Sequence, residues 1–191
     1  MERAQKDFQD ADGGWFLSEP DPALPARPCG AIDGPTPAAV ATLAVESARL
    51  YALTGDARHR TRAEKILGRY AGDVRKHPFA HATLLSAVLL LERPIQIVIR
   101  GERGSAEFEN LLDVVARTPI PSRVLTVVDN GHAPAAGHPL GRYDRPAASP
   151  LAHVCVGATC LAPAASPADL AVRLEDARRL ACRGPEDRKG S

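Results

Sequence analysis

The chain has 191 residues, of which 45% are hydrophobic and 25% charged, the proportions of a folded globular protein with room for one ordinary domain or two small ones. Its 24 basic and 23 acidic residues leave a formal net charge of +1, so phosphate neutralisation does not drive it onto nucleic acid. The longest apolar run, Ala82–Leu91, is about half of what a membrane span needs, and the polar start MERAQKDFQDADGG does not read as a secretory signal. Aromatic residues are 4%, which leaves Ala, Leu, Val and Ile to build the core. The four cysteines are too unevenly spaced for a secreted disulfide framework, and a reducing, cytoplasmic setting is expected.

Glu2–Phe8 reads as the tail of a helix, broken at Gly13 and Gly14. A connector from Glu19 to Pro37 follows, rich in proline and therefore irregular. Three helices come next. Thr36 can cap the first, with Pro37 at its first position. Val40, Leu43, Ala44, Ser47, Leu50 and Tyr51 share one face, and Ala41, Val45, Ala48 and Ala52 make the other face small and apolar as well. A helix apolar on most sides is buried. Gly55 ends it and Asp56 can cap its successor, which sets Ala63, Ile66, Leu67, Tyr70 and Val74 against a solvated face of Arg58, Arg62, Lys65 and Arg69. The third helix runs from near Pro78 to Glu92, again apolar almost all round and so expected to be buried. Helical hairpins layered in a bundle or toroid have this order of buried, outer and buried.

The period then changes from helical to alternating. PIQIVIRG sets Ile95, Ile97 and Ile99 against Gln96, Val98 and Arg100, the pattern of a strand. SAEFENLLDVVAR gathers Phe108, Leu111, Leu112 and Val115 on one helical face, and Val124–Val128 is a second strand. Strand, helix and strand at this spacing predict a small parallel βαβ unit. Asp129–Pro150 has no period and reads as a mobile loop, LAHVCV as a third short strand, and Ser166-Pro167 as the cap and first turn of a last helix with Leu170, Leu174 and Ala177 inward. The final residues 184–191 are expected to fray.

An ordered series of segments resembles the C-terminal portion of the YyaL-type thioredoxin-domain-containing proteins, the family that includes the spermatogenesis-associated thioredoxin-like proteins. The series is DADGGWF, ARPCGAIDGPTP, LYALTGDARHRTRAEKIL, HPFAHATLLSAV, PIQIVIRG and HVCVGATCLAPAASPADL. The resemblance implies the last hairpins of an (α/α)6 toroid related to six-hairpin glycosidases, followed by a terminal α/β region, in a chain without the thioredoxin-like part. It also implies a C-terminal fragment or truncated homologue, whose partners would be the missing remainder of the parent fold and a sugar ligand. Where the family tends to show a polar Ser-Gly-Asn-Ser run, this chain has Ala38, Ala39, Val40 and Ala41, and Cys29 stands where a Lys is common. Natural ligands for sugar hydroxyls are lost with that run.

The expected fold is therefore mixed α/β, with helical hairpins of an incomplete (α/α)6-type toroid over 1–93 and a small βαβ-type region over 94–183. Four groups of residues are weighed as sites. Glycoside chemistry needs two carboxylates flanking one bond, for which Asp10, Asp12 and Asp33 sit in loops. Asp33 is favoured because the resemblance places it beside the helix start. Cys155 and Cys160 are candidates for a redox pair, although thioredoxin-type pairs have two intervening residues and these have four. A zinc site would need His153 and Cys182 to complete that pair, and its spacing argues against one; packed thiols at a strand end are the plainer reading. Gly101, Gly104 and Ser105 follow a strand and open a helix, where an anion could rest, yet neither dinucleotide nor Walker fingerprint is complete. His81 reads as a packed or hydrogen-bonded residue, and His77, His132 and His138 offer no metal set. No cofactor or metal is expected. Three functional readings stand: a toroid fragment without independent catalysis, a stand-alone thiol-redox or protein-interaction module, and a small anion-binding domain.

Overall fold

A computed structural model describes residues 2–10, 14–129, 149–157 and 159–182. The fold is mixed α/β, with six α-helices and one four-stranded sheet among the described residues. The chain divides into two compact units, Met1–Tyr51 with Asp56–Leu89, and Ala52–Gly55 with Leu90–Ser191. Most of the loop expected over Asp129–Pro150 and all of the tail expected over 184–191 lie outside the described residues, as do Asp12, His132 and His138.

The first unit holds α1 (Glu2–Phe8), most of α2 (Ala39–Thr54), α3 (Ala57–Lys76) and the start of α4 (Ala82–Glu92), the last preceded by a 3-10 turn at Pro78–His81. Over the connector, 19–37, the chain forms no helix or strand and carries one isolated bridge, from Cys29 to Phe16, as its prolines require. Arg27 ties this connector down: its guanidinium lies 3.9 Å from the Phe16 ring centroid and donates to Asp7 O at 2.7 Å. Trp15, Ala31, Val40, Ala41, Ala44, Ile66, Tyr70, Leu84 and Ala87 form one buried cluster. The helix start departs from expectation. Ala38 N donates to Asp33 Oδ1 at 2.9 Å, so a carboxylate five residues back, rather than Thr36, accepts the bond at the start of α2. Gly55, at φ 72°, lets the chain turn out of α2, and Asp56 caps α3 by accepting from Arg58 N at 2.9 Å. α3 is amphipathic as its sequence predicts, with Ala63, Ile66 and Tyr70 buried.

α4 corrects the expectation of burial all round. Leu84 and Ala87 are inaccessible, but Leu85, Val88 and Leu89 are 38%, 38% and 49% exposed, and Phe79 in the turn before them is 96% exposed.

The second unit is built on a sheet of order β2-β1-β3-β4. β1 (Ile95–Gly101) and β2 (Arg123–Asp129) run parallel, joined through α5 (Ala106–Arg117), which is the expected βαβ unit. β3 (Leu151–Val156) returns antiparallel on the other side of β1, and the two-residue β4 (Thr159–Cys160) pairs with β3. One face of the sheet offers Ile95, Ile97, Ile99, Ala152 and Val154 to Phe108, Leu111 and Val115 of α5 and to Leu170, Leu174 and Ala177 of α6 (Pro167–Cys182). The other face is buried too: Gln96, Val98, Val124, His153 and Cys155 are all less than one-tenth exposed. β1 is therefore covered on both sides, as befits a central strand with a parallel neighbour.

Candidate functional site

Asp33 is the hinge-pin of the first unit's loops. Its Oδ1 accepts from Ala38 N at the start of α2, and its Oδ2 accepts from Thr83 N at the start of α4, at 2.8 Å. Its own backbone N–H donates to Ala80 O at 2.8 Å. Partial burial pushes its carboxyl upward, but the donors of Thr83 and Ala38, with the charge of His81, outweigh this and leave it below the usual value. A carboxylate so held is a poor proton donor and has both oxygens committed to helix ends. Asp10 is likewise engaged, accepting from Gly14 N at 2.6 Å. His81 is buried, and its Nδ1–H donates to His77 O at 2.9 Å, the hydrogen-bonded role expected of it. These groups bind the unit's own backbone.

The Gly101–Ser105 turn places its residues as the sequence requires. Gly104 sits at φ 86°, where a side chain would be strained, and Ser105 Oγ accepts from Phe108 N at 3.3 Å as the cap of α5. Ser105 Oγ also donates to Glu102 O at 3.0 Å. The first turn of α5 carries Glu107 and Glu109. Those two carboxylates satisfy the helix dipole and repel an incoming anion.

Cys155 and Cys160 are opposite each other in the β3–β4 pairing and are joined by a disulfide, with Sγ–Sγ 2.05 Å. The separate packed thiols expected from their spacing are corrected by this register: a tight hairpin, turning at Gly157, brings positions five apart face to face. Cys155 is inaccessible, in a cluster with Val98 and Val128, whereas Cys160 is exposed on the edge strand. His153, two residues before Cys155 on the same face, is buried at 7% exposure. Burial, and then the charge of Arg100, push its imidazole below the usual value, so it is neutral at pH 7. Cys182 ends α6 as an exposed free thiol, as does Cys29 in the connector. Among the described residues no group of three His, Cys, Asp or Glu could hold a metal ion.

Gln96 is the residue that alternation alone does not single out. It lies across from Cys155 in the β1–β3 pairing and is 5% exposed. Its Nε2 donates to Ala52 O at 3.1 Å, which fixes the orientation of the amide, and its Oε1 is buried with no hydrogen-bond partner. The signal was a lone amide among the isoleucines and valines of IQIVI.

No family model matches the chain, and neither does any curated protein or solved structure. No described helix is long and apolar enough to cross a membrane.

Proposed function

We propose that the chain is the C-terminal part, or a truncated homologue, of a YyaL-type thioredoxin-domain-containing protein. Its helices are the last hairpins of a carbohydrate-related (α/α)6-type toroid, and it works as a structural part of that assembly, with no catalytic set of its own. The observation that carries this reading is the two-sidedness of α4. Leu84 and Ala87 are buried while Leu85, Val88 and Leu89 stand exposed, with Phe79 beside them at 96%. A hairpin helix with apolar residues on both sides is built to pack between two neighbours. Asp33 agrees with the non-catalytic role, since both its oxygens serve as helix-end acceptors. The sugar ligand belongs to the whole toroid in this reading.

The test is the coding DNA immediately upstream of Met1. An in-frame thioredoxin-like sequence, or one separated by a single frameshift, supports the proposal. An unrelated gene followed by a good ribosome site overturns it.

A further inference from the structure

We propose that the Cys155–Cys160 disulfide is a reversible thiol–disulfide exchange site that takes a dithiol as its reductant, is attacked at Cys160, and has a reduced form held by Gln96. Three observations carry this beyond a structural staple. The first is asymmetry: Cys160 is exposed on the short edge strand, while Cys155 is inaccessible beneath it. Thiol–disulfide exchange requires an incoming thiolate to reach one sulfur in line with the other, so only Cys160 can be attacked.

The second observation is the environment of the leaving sulfur. Gln96 faces Cys155 across the β1–β3 pair, with side chains on the same face, where opposed β-carbons lie about 4.5–5.5 Å apart. Its Nε2 is fixed on Ala52 O and its Oε1 is a buried acceptor without a donor. A disulfide sulfur has no hydrogen to give. A Cys155 thiol does, and it stands where the orphaned acceptor can be satisfied. The third is the place of Cys160 at the margin: the two-residue β4 is the last strand of the sheet, while Leu161 N–H to Val154 O at 2.9 Å and the bridge between Ala152 and Ala164 anchor the chain just beyond it. A thiolate therefore meets Cys160 at the open edge, while the buried Ala164 keeps the core behind β3 in place.

One thiolate of the dithiol attacks Cys160 Sγ, forming a mixed disulfide and breaking the bond to Cys155. Cys155 Sγ leaves with the electron pair, takes up from solvent the proton that the attacking thiol gave up, and as a thiol donates a hydrogen bond to Gln96 Oε1. The second thiol of the reagent loses its proton and attacks the reagent's other sulfur in the mixed disulfide, so that Cys160 Sγ leaves with the electron pair and takes up that proton. Two electrons pass from the dithiol to the protein, and the reagent ends as a disulfide.

The full chain carrying Cys29→Ser and Cys182→Ser, both exposed positions, is equilibrated with graded ratios of reduced to oxidised dithiothreitol. It is then quenched with iodoacetamide and mapped by mass spectrometry. Cys155 and Cys160 are expected to alkylate together, in one two-electron transition. With glutathione as a monothiol in place of dithiothreitol, the trapped mixed disulfide is expected on Cys160 alone. Gln96→Leu removes the acceptor, and the ratio of dithiothreitol needed for half reduction is expected to rise about two- to tenfold, the worth of one hydrogen bond. Gln96→Met serves the same purpose should the leucine variant not fold. Two free thiols at every ratio, a mixed disulfide on Cys155, or an unmoved midpoint in the folded Gln96 variant would each overturn the proposal.

Discussion

Thr83 N–H donates to Asp33 Oδ2 at 2.8 Å, joining residues 50 apart in the chain. Through the other carboxylate oxygen the same side chain accepts from Ala38 N, so one aspartate closes the starts of two helices. Asp33→Ala removes both acceptors and is expected to lower stability by about 1–3 kcal/mol, read as a lower urea midpoint with unchanged slope. Asp33→Asn keeps one carbonyl oxygen and is expected to cost less. Equal losses from the two variants would contradict the two-bond account.

Acid should weaken the fold in two stages. The folded His153 imidazole lies below its ordinary value of 6.5 because burial, and then Arg100, disfavour its charged form. The unfolded chain thus takes up the proton first, and stability falls as pH drops below about 6.5 until the folded value is reached. Asp33 acts lower down. Its folded carboxyl lies below 3.8, so its contribution is complete above that value and is lost as pH falls through the folded one. Urea midpoints measured from pH 7.5 to 5 should decline in the native chain and stay nearly level in His153→Gln.

The two sides of α4 should respond differently to substitution. Leu84→Ala, at a fully buried position, is expected to cost about 2–5 kcal/mol. Leu89→Gln, at 49% exposure, should change stability by no more than about 0.5 kcal/mol. It should also reduce binding of an apolar dye such as ANS, because it removes part of the exposed face. A large stability loss from Leu89→Gln would show that the face is already covered.

Ser105→Ala deletes the cap of α5 and is expected to cost about 1 kcal/mol, measured by thermal unfolding. Added inorganic phosphate should leave the native melting temperature unmoved, because Glu107 and Glu109 occupy the end of the helix an anion would need.

Local pattern made much of this fold legible. The amphipathic stripe of α3, the parallel β1–α5–β2 unit and the inward face of α6 all follow from spacings within one element or between adjacent ones. What escaped depends on partners far away in the chain. Thr36 offered a good local cap, whereas the bond goes to Asp33, whose other oxygen accepts from Thr83, 50 residues on. The apolar circumference of α4 reads as burial, since sequence reports what a residue prefers and not what is there to cover it. Cys155 and Cys160 looked wrongly spaced for a motif, but strand register, rather than motif spacing, set them opposite each other. Gln96 was hidden because the strand is covered on both faces, which leaves no outer side on which its amide would be unremarkable.

The place of β1 at the middle of the sheet also orders events in time. Its parallel neighbour β2 follows after one short helix, while its antiparallel neighbour β3 comes from much farther along the chain. Closing the longer loop carries the larger entropy cost, so β1, α5 and β2 are expected to form the folding nucleus and the β3–β4 hairpin to dock last. Destabilising changes in the first group should slow folding, whereas those in the hairpin should chiefly hasten unfolding. Whatever happens at Cys160 would then register in how long the native state lasts, and hardly at all in how fast it is reached.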